Sequence, residues 1–321
     1  MACGASRGAN LKRGPLSHYI EASIMLRHGF LFFLAAALGG CNGRDGVRDA
    51  GDSARSLVRV ELSYARALNS AANEATFDAQ AHFVRYRAFD PTGVPTILGI
   101  ADYDVIPLDT CRVSDGQAEL DEALAATSVE AARAVPAEVA LLDAGRIEVR
   151  GPVDRAVLRT HHYPELVPFV AGVVYTGDQN SPVTLGLGQP YQVTGEGGEE
   201  VGPFVAAAMA PRAFPQLALE PLHRAGGIAG DLEARWTPEG AEPLLLEVKW
   251  SSRTGARSVR CRVRDDGEFA VPHDAFDSLP AQAAATVSAS RLSRGWFLAP
   301  GAGRGELILE LRDVAPLQVT P

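Results

Sequence analysis

The feature that most constrains the fold of this chain is a hydrophobic pattern of period two, which recurs from residue 58 to residue 311. In its first stretch, from Val58 to Tyr64, apolar side chains alternate with Arg59, Glu61 and Ser63. Successive side chains of a β-strand point to opposite faces, so the pattern predicts strands with one buried face and one face in water. Similar stretches lie at 84–88, 139–142, 147–149, 169–175, 191–194, 204–209, 244–250, 260–264, 269–271 and 307–311.

Short polar turns separate these stretches, and the alternation of strands with helices that marks a parallel sheet is missing. Only residues 118–134 and 274–284 look helical, and neither could organise a helical core. The pattern therefore predicts an all-β fold built from antiparallel sandwiches. Two turns, Asp143-Ala144-Gly145 and Asp265-Asp266-Gly267, predict hairpins between the strands that flank them.

Two prolines at 211 and 215 interrupt the alternation and mark a domain boundary. We therefore predict a first β-sandwich at 56–212 and a second at 213–321.

The N-terminal region predicts export. Residues 29–38 (GFLFFLAAAL) are uncharged and follow Arg27 and His28. The run is too short for a transmembrane helix, which needs about 20 apolar residues. It fits the apolar region of a secretory signal peptide. A signal that starts at Met25 is compact, which suggests that residues 1–24 precede the true start codon.

The apolar run ends at Leu38-Gly39-Gly40-Cys41, which resembles the lipobox of bacterial lipoproteins. The resemblance implies cleavage between Gly40 and Cys41, diacylation of Cys41 and attachment to a membrane. The alternative is an ordinary signal peptide with a chance cysteine downstream. Asn42 stands where inner-membrane lipoproteins often carry Asp, so the outer membrane is expected. Residues 41–55 are dominated by Gly, Asp and Arg and are predicted to form a flexible tether.

The charge of the exported part restricts its partners. The whole chain has 30 Lys and Arg against 39 Asp and Glu; residues 1–40 hold four of the basic and one of the acidic residues, which leaves a net charge of −12. A nucleic-acid partner would favour a basic face, so none is expected. The charge also disfavours docking on anionic lipid, so attachment is expected through the acyl chains. An envelope protein or a glycan remains as a partner.

The C-terminal half also resembles an immunoglobulin-like β-sandwich module of uncharacterised lipoproteins from myxobacteria and related soil bacteria. The resemblance covers roughly residues 183–321 and depends on turn and core signatures. These are the segments 195–204 (GEGGEEVGPF), 235–237 (RWT), 260–263 (RCRV), 266–272 (DGEFAVP) and 279–280 (LP). It implies an immunoglobulin-like sandwich for this part of the chain and supplies no catalytic residues. With the period-two pattern of the first half, we predict tandem antiparallel immunoglobulin-like β-sandwiches.

Two cysteines, Cys111 and Cys261, remain after the lipid site. In an oxidising compartment an even pair is a candidate disulfide. Two separate buried thiols are the alternative, because free Cys is among the most buried residue types. The sequence leaves the two possibilities open.

No catalytic, cofactor or metal motif is assembled. His161-His162 is the most metal-like feature, but neighbours on a strand face opposite ways, and no HExxH or CxxC occurs. His273-Asp274 could serve a hydrolase, yet no GxSxG or SxxK nucleophile motif is present. The glycines of 195–202 lack the Lys-Ser/Thr of a phosphate loop. We expect no catalytic residue, no cofactor and no metal ligand.

Two binding hypotheses stay open. Loop carboxylates could hold calcium although none forms a DxDxDG loop; these are Asp102, Asp104, Asp109, Asp265 and Asp266. Three tryptophans could form a sugar platform if exposed, but alternation places Trp236 and Trp250 in the core.

Together these features predict a lipid-anchored envelope protein with a non-catalytic role in binding, adhesion or structure. The alternatives are an exported hydrolase that uses loop His and Asp residues, or a subunit of an envelope assembly. The assembly role predicts a long uncovered edge strand.

Overall fold

The computed structural model describes residues 54–320, except 69, 72–73, 88–93, 96–97, 101–102, 116–137, 168–169, 179–181, 226–227, 241, 253–254, 281–283 and 318. The predicted signal peptide, the lipobox-like segment, most of the predicted tether and the predicted helical stretch at 118–134 lie outside these residues. Residues 48–321 form one compact unit. Within the described part, no helix has the length and apolarity that a membrane crossing requires.

The fold is all-β, as the alternation predicts, and its centre is a ten-stranded sheet. In hydrogen-bonded order its strands are β3 (Thr110–Asp115), β16 (Gly255–Val263), β15 (Leu244–Ser252), β18 (Ala285–Ala299), β19 (Gly303–Leu317), β1 (Arg55–Ala67), β2 (Thr76–Arg87), β4 (Glu138–Leu141), β8 (Val170–Thr176) and β7 (Arg159–Val167). The sheet is mixed, because β1 runs parallel to β19 and β4 runs parallel to β8.

Three smaller sheets complete the described strands. A four-stranded sheet contains β10 (Phe204–Met209), β9 (Pro190–Gly195), β5 (Ile147–Arg150) and β6 (Arg155–Val157). A three-stranded sheet contains β11 (Ala218–Leu219), β14 (Leu232–Arg235) and β17 (Glu268–Val271). Another contains β13 (Ile228–Ala229), β12 (Leu222–Ala225) and β20 (Val319–Thr320). A 3₁₀ turn at His273–Phe276 overlaps the start of the second stretch that looks helical in the sequence.

One face of the large sheet, called the inner face below, carries two hydrophobic cores. The first core joins it to the four-stranded sheet, with Leu62, Phe83, Leu309, Ile147, Tyr191 and Phe204 among its members. The second joins it to the β11–β14–β17 sheet, with Leu246, Val259, Val287, Leu232 and Val271 among its members. Strands β18 and β19 have 15 residues each and contribute to both cores.

Two buried charged residues lie on the inner face where one core gives way to the other. Asp313 is fully buried and accepts hydrogen bonds from Arg66 Nε at 2.6 Å and from the Leu217 amide at 3.1 Å. Arg291 donates to the Asp265 carboxylate at 3.0 and 3.2 Å and to the Phe214 carbonyl at 3.1 Å. Because both groups have ion-pair and hydrogen-bond partners, they separate the two cores without leaving an unpaired buried charge.

The opposite face, called the outer face below, is not open to water at its centre, which corrects the sequence prediction. Arg59, Glu306 and Glu310 keep only 6–8% of their surface exposed. The cover is the strap, defined here as the described residues of 94–109, which leads from β2 to β3 at the far edge of the sheet. Tyr103 of the strap packs on Leu245, Leu292 and Ile308, and Val94 and Leu98 pack on the β2–β4 region.

Both predicted hairpins are wrong. The turn at 143–145 connects β4 of the large sheet to β5 of the four-stranded sheet, and the turn at 265–267 connects β16 to β17 of a three-stranded sheet. Each turn therefore carries the chain across a core. A turn motif shows where the chain reverses but does not show which strand will be its hydrogen-bonding neighbour.

Near the predicted boundary at 212/213 the chain passes from the first core, which contains Phe214, to the second core, which contains Leu217. The boundary does not coincide with a break between sheets. Strand β1 pairs with β19, and β3 pairs with β16, so strands from both sides of the boundary share the large sheet. The tandem immunoglobulin-like arrangement is accordingly not confirmed.

Candidate functional site

The candidate functional site is a cleft of about 630 Å³ beside the β4–β5 connection. It is called the arginine cleft and is lined by Asp143, Gly145, Arg146, Val157, Leu158, Arg159, Thr160 and His162. Its volume falls in the range of about 300–1,000 Å³ that is typical of small-molecule sites.

A rigid turn forms one wall of this cleft. The Asp143 carboxylate accepts hydrogen bonds from the Gly145 amide at 2.7 Å and from the Tyr175 hydroxyl at 2.9 Å. The same hydroxyl accepts a hydrogen bond from the Ala144 amide at 2.7 Å. Burial, together with the neighbouring Asp143, raises the pKa of Tyr175, so this phenol stays a neutral donor to Asp143.

Glycine is required at position 145 of that turn. Gly145 has a φ of 70°, and a Cβ atom there would lie 2.2 Å from the Gly197 carbonyl oxygen. A larger residue would meet both a disfavoured backbone conformation and a steric clash. The Gly-rich segment that resembles a phosphate loop in sequence is the β9–β10 hairpin, and it braces this wall.

Cationic side chains form the rim. Arg146 Nε lies 3.8 Å from a Glu196 carboxylate oxygen, and both side chains are more than half exposed. Arg159 is hydrogen-bonded to Asp178 and is 59% exposed. Such exposed ion pairs contribute little to stability, so both guanidinium groups can exchange partners with a ligand. With Val157 on the wall, the cleft suits a ligand that has an apolar face and an acidic group.

The two adjacent histidines of β7 point to opposite faces of the sheet, as the strand geometry predicts. His162 lines the cleft, whereas His161 Nε2 lies 2.8 Å from Thr176 Oγ1 on β8. Over the residues that the structure describes, no three His, Cys, Asp or Glu side chains group together as a metal site would require.

A second polar cluster lies on the outer face beneath the strap. Glu306 contacts Arg59 Nη2 and Arg294 Nη1, each at 3.2 Å, and Arg312 binds Glu310 through both carboxylate oxygens. Arg294 also donates two hydrogen bonds to Asp104 of the strap. These contacts fasten the strap to the sheet.

Burial shifts the titration of several groups in that cluster. It raises the pKa of Glu61, with Glu310 and Glu306 adding to the effect and Arg59 opposing it. It lowers the pKa of His82 to about 4, with a further contribution from Arg59. Shifted pKa values mark candidate functional sites, but ion-pair networks produce them as well. Because Arg59, Glu306 and Glu310 are nearly buried and paired within the cluster, it is best described as a structural network.

The cysteine pair lies at the end of the strap. Cys111 on β3 faces Cys261 on β16 directly across the sheet register, with their Cα atoms 4.0 Å apart and their sulfur atoms joined in a disulfide. Of the two alternatives that the sequence leaves open, the structure has the bonded one. The bond fixes the edge strand to which the strap leads.

The remaining candidates that the sequence suggests are scattered, and Gly40 and Cys41 lie outside the described residues. His273 Nδ1 lies 3.2 Å from Asp231 Oδ1, and both side chains are more than half exposed. Asp265, a calcium candidate, instead pairs with Arg291. Trp236 and Trp250 are buried in the second core, whereas Trp296 is 56% exposed.

Most of the arginine cleft could not be predicted from the sequence, because Arg146, Arg159 and Thr160 lie in no recognisable motif. The only sequence feature that marks these residues is their position along the chain. They flank the turn at 143–145 and the strand that carries the histidine pair.

Comparison with known proteins does not extend these observations: no protein-family model, no curated protein and no solved structure matches this chain.

Proposed function

We propose that this chain is a lipid-anchored lipoprotein of the bacterial envelope and that its β-sheet unit is a non-catalytic binding module. The N-terminal part of the proposal is supported by the lipobox-like segment that ends in Gly40 and Cys41. Asn42 supports the outer membrane as its location.

The observation that carries the binding role is the arginine cleft. Two exchangeable guanidinium groups, one imidazole and one apolar wall surround a space of ligand size. An acidic envelope glycan combines the carboxylate and the apolar sugar face that such a lining recognises.

The anchor is tested by replacing Cys41→Ser in the full chain and fractionating the cells. The wild-type protein should enter the detergent phase and carry acyl chains by mass spectrometry, and the variant should lose both properties. A variant that remains dependent on detergent would contradict the lipid anchor.

The cleft is tested by titrating the purified protein with uronic-acid oligosaccharides and with their neutral counterparts. The acidic series should bind, and the double variant Arg146→Gln/Arg159→Gln should weaken binding at least about tenfold, since each loses a charge-assisted hydrogen bond. Arg150 and Arg155 are equally exposed arginines on β5 and β6 outside the lining, so Arg150→Gln/Arg155→Gln is the matched control. Equal losses in both variants would contradict a site in the cleft.

A hydrolase is the second candidate, and one observation favours it. The contact between His273 and Asp231 has the geometry of a base held by a carboxylate. Turnover of nitrophenyl esters or glycosides by the purified protein, abolished by His273→Gln and unchanged by His161→Gln, would favour this role over a binding module.

An assembly subunit is the third candidate. Strand β7 has nine residues and ends the hydrogen-bonded order of the large sheet within the described part of the chain. A single stoichiometric partner recovered from membranes, and lost when Thr160 on this strand is replaced by Pro, would support strand addition there.

A further inference from the structure

One tryptophan of the chain is exposed where the other two are buried. Trp296 on β18 keeps 56% of its surface exposed, and Leu298 on the same face of the strand keeps 68%. The Arg304 guanidinium lies over the Trp296 ring, 4.1 Å from its centroid. We call these three residues the Trp296 patch. An exposed Trp beside an exposed Leu signals an interaction surface, because such side chains are normally buried.

The strand register places this patch at the end of the sheet where the chain enters from its N-terminal part. Leu298 pairs with Arg304, and Gly305 pairs with Val58 of β1. The first residues of β1 therefore lie two strands away from Leu298. The chain that leads back to Cys41 leaves the sheet at this end.

The length of that connection limits how far the patch can lie from the N-terminal cysteine. Thirteen residues lie between Cys41 and Arg55. At about 3.6 Å per residue they span at most about 50 Å. An acylated Cys41 would hold this end of the sheet close to the bilayer and so favour even a weak additional contact.

Basic side chains cluster at the same end. Arg55 at the start of β1, Arg87 at the end of β2 and Arg304 are all exposed. Arg85 is partly exposed and lies 4.0 Å from Glu200, while Glu138 is the cross-strand neighbour of Arg87. Glu199 and Glu200 are also exposed and lie beside the β18–β19 turn, so acidic and basic side chains are balanced at this end of the sheet.

We propose that the Trp296 patch docks on the lipid headgroup region of the bilayer that holds the anchor. Tryptophan rings favour the headgroup level, Leu298 can enter the adjacent acyl boundary, and Arg304 can reach lipid phosphates. The contact would orient the protein so that the β18–β19 turn faces the membrane. This inference rests on the lipid anchor of the proposed function.

Depth-dependent fluorescence quenching tests the docking directly, because buried Trp236 and Trp250 supply an internal reference. The acylated protein is reconstituted into phosphatidylcholine vesicles with one fifth phosphatidylglycerol, with and without bromine on the lipid chains. Bromolipid should quench the wild-type emission, and Trp296→Phe should remove that quenching. Leu298→Ala should reduce it severalfold, whereas Val153→Ala, at another exposed position, should leave it unchanged.

Flotation in the same experiment separates failure of the docking from failure of the anchor. Protein that floats with the vesicles but shows no quenching would overturn the docking and leave the anchor intact. Quenching that survives Trp296→Phe would overturn it as well.

If the protein lacks acyl chains and does not float, the anchor fails, and the same protein is then titrated with excess vesicles. In that titration, quenching that depends on Trp296 would support docking by the Trp296 patch without an anchor. No quenching in that titration would overturn the docking. A Trp296 response to glycan and not to lipid would overturn the docking and make the patch a sugar platform.

Discussion

The two faces of the large sheet are both covered, but by different chemistry. On the inner face, alternating apolar residues form two cores, and charge occurs mainly where the cores meet, at Arg291 and Asp313. On the outer face, the intervening residues form a charged network beneath the strap, with Arg59, Glu306 and Glu310 nearly buried. A polar face of a strand is therefore not necessarily a solvated face. If another segment of the chain crosses and covers the polar face, each buried charge needs a partner. Some of these partners lie on the covering segment, so the charges also attach that segment to the sheet.

The largest effect is expected on the inner face, at Asp313. Replacing Asp313→Ala removes the acceptor for Arg66 and for the buried Leu217 amide. Breaking a buried pair in this way costs about 3–5 kcal/mol of unfolding free energy. Equilibrium unfolding in urea measures it. Asp78→Ala, an exposed carboxylate of β2, should change the same quantity by less than about 0.5 kcal/mol. Similar values for the two variants would contradict a structural role for the junction.

The next effect concerns the edge at which the strap ends. Removing the Cys111–Cys261 bond by Cys111→Ser/Cys261→Ser should lower the unfolding free energy by about 2–4 kcal/mol, since the bond closes a loop of 150 residues in the unfolded chain. Hydrogen exchange should then increase in the strap and β3 more than in β1 and β19. Reduction of the wild type should reproduce the change and leave the double variant unaffected. Unfolding that does not respond to reduction would show that the bond is absent.

The contrast between the faces also shows what the sequence could reveal. Period two identified the strands and assigned residues such as Leu62 and Glu61 to opposite faces, because that rule depends only on local backbone geometry. It could not show that Glu310 is nearly buried beneath the strap, since that burial depends on contacts between residues far apart in the chain. It also could not show that β1 would pair with β19, because paired residues of these two strands, such as Val58 and Gly305, are 247 positions apart in the chain.

The candidate site was harder to predict for the same reason. The turn at 143–145 was recognised, but its flanking strands belong to two different sheets, and that change of sheet opens the arginine cleft. The two cysteines were recognised as a pair because their number is even, while their direct opposition across β3 and β16 needed the register. Trp296 lies on the outer face of β18, opposite the buried Phe297, whereas Trp236 and Trp250 belong to the second core on the inner face. Three adjacent residues with large side chains, Trp296, Phe297 and Leu298, do not show in the sequence which face of this strand is buried.

A smaller effect is expected from pH on the outer face. His82 has a folded-state pKa of about 4 against 6.5 when unfolded, so the unfolded chain binds more protons between these values. Stability should fall by about 2 kcal/mol as the pH is lowered from about 6.5 to about 4.5. Glu61 opposes this loss, because its raised pKa makes protonation favour the folded state.

Comparison of two variants isolates the histidine contribution. His82→Gln should remove that part of the pH dependence, while the exposed His161→Gln should keep it. Parallel pH profiles for wild type and His82→Gln would show that His82 is accessible to protons in the folded protein and that the strap does not seal the outer face.

The smallest effect on the unfolding free energy is expected at the partly exposed ion pair that attaches the strap to the sheet. Asp104 accepts two hydrogen bonds from Arg294, which lower its pKa, yet its side chain remains 53% exposed. Asp104→Asn should therefore lower the unfolding free energy by no more than about 1 kcal/mol. Amide exchange near Asp104 should nevertheless accelerate, since the ion pair would no longer hold the middle of the strap, where Tyr103 keeps its apolar contacts. The start of the strap is held separately by Val94 and Leu98, and its end by hydrogen bonds of Ile106 and Asp109 to β16 and the residue that follows it. Asp178→Asn breaks a comparable exposed pair with Arg159 on β7 and should leave exchange in the strap unchanged. If amide exchange in the strap does not respond to Asp104→Asn, the apolar contacts of Tyr103 with Leu245, Leu292 and Ile308 hold the strap on the outer face. The ion pairs beneath the strap would then contribute little to its attachment.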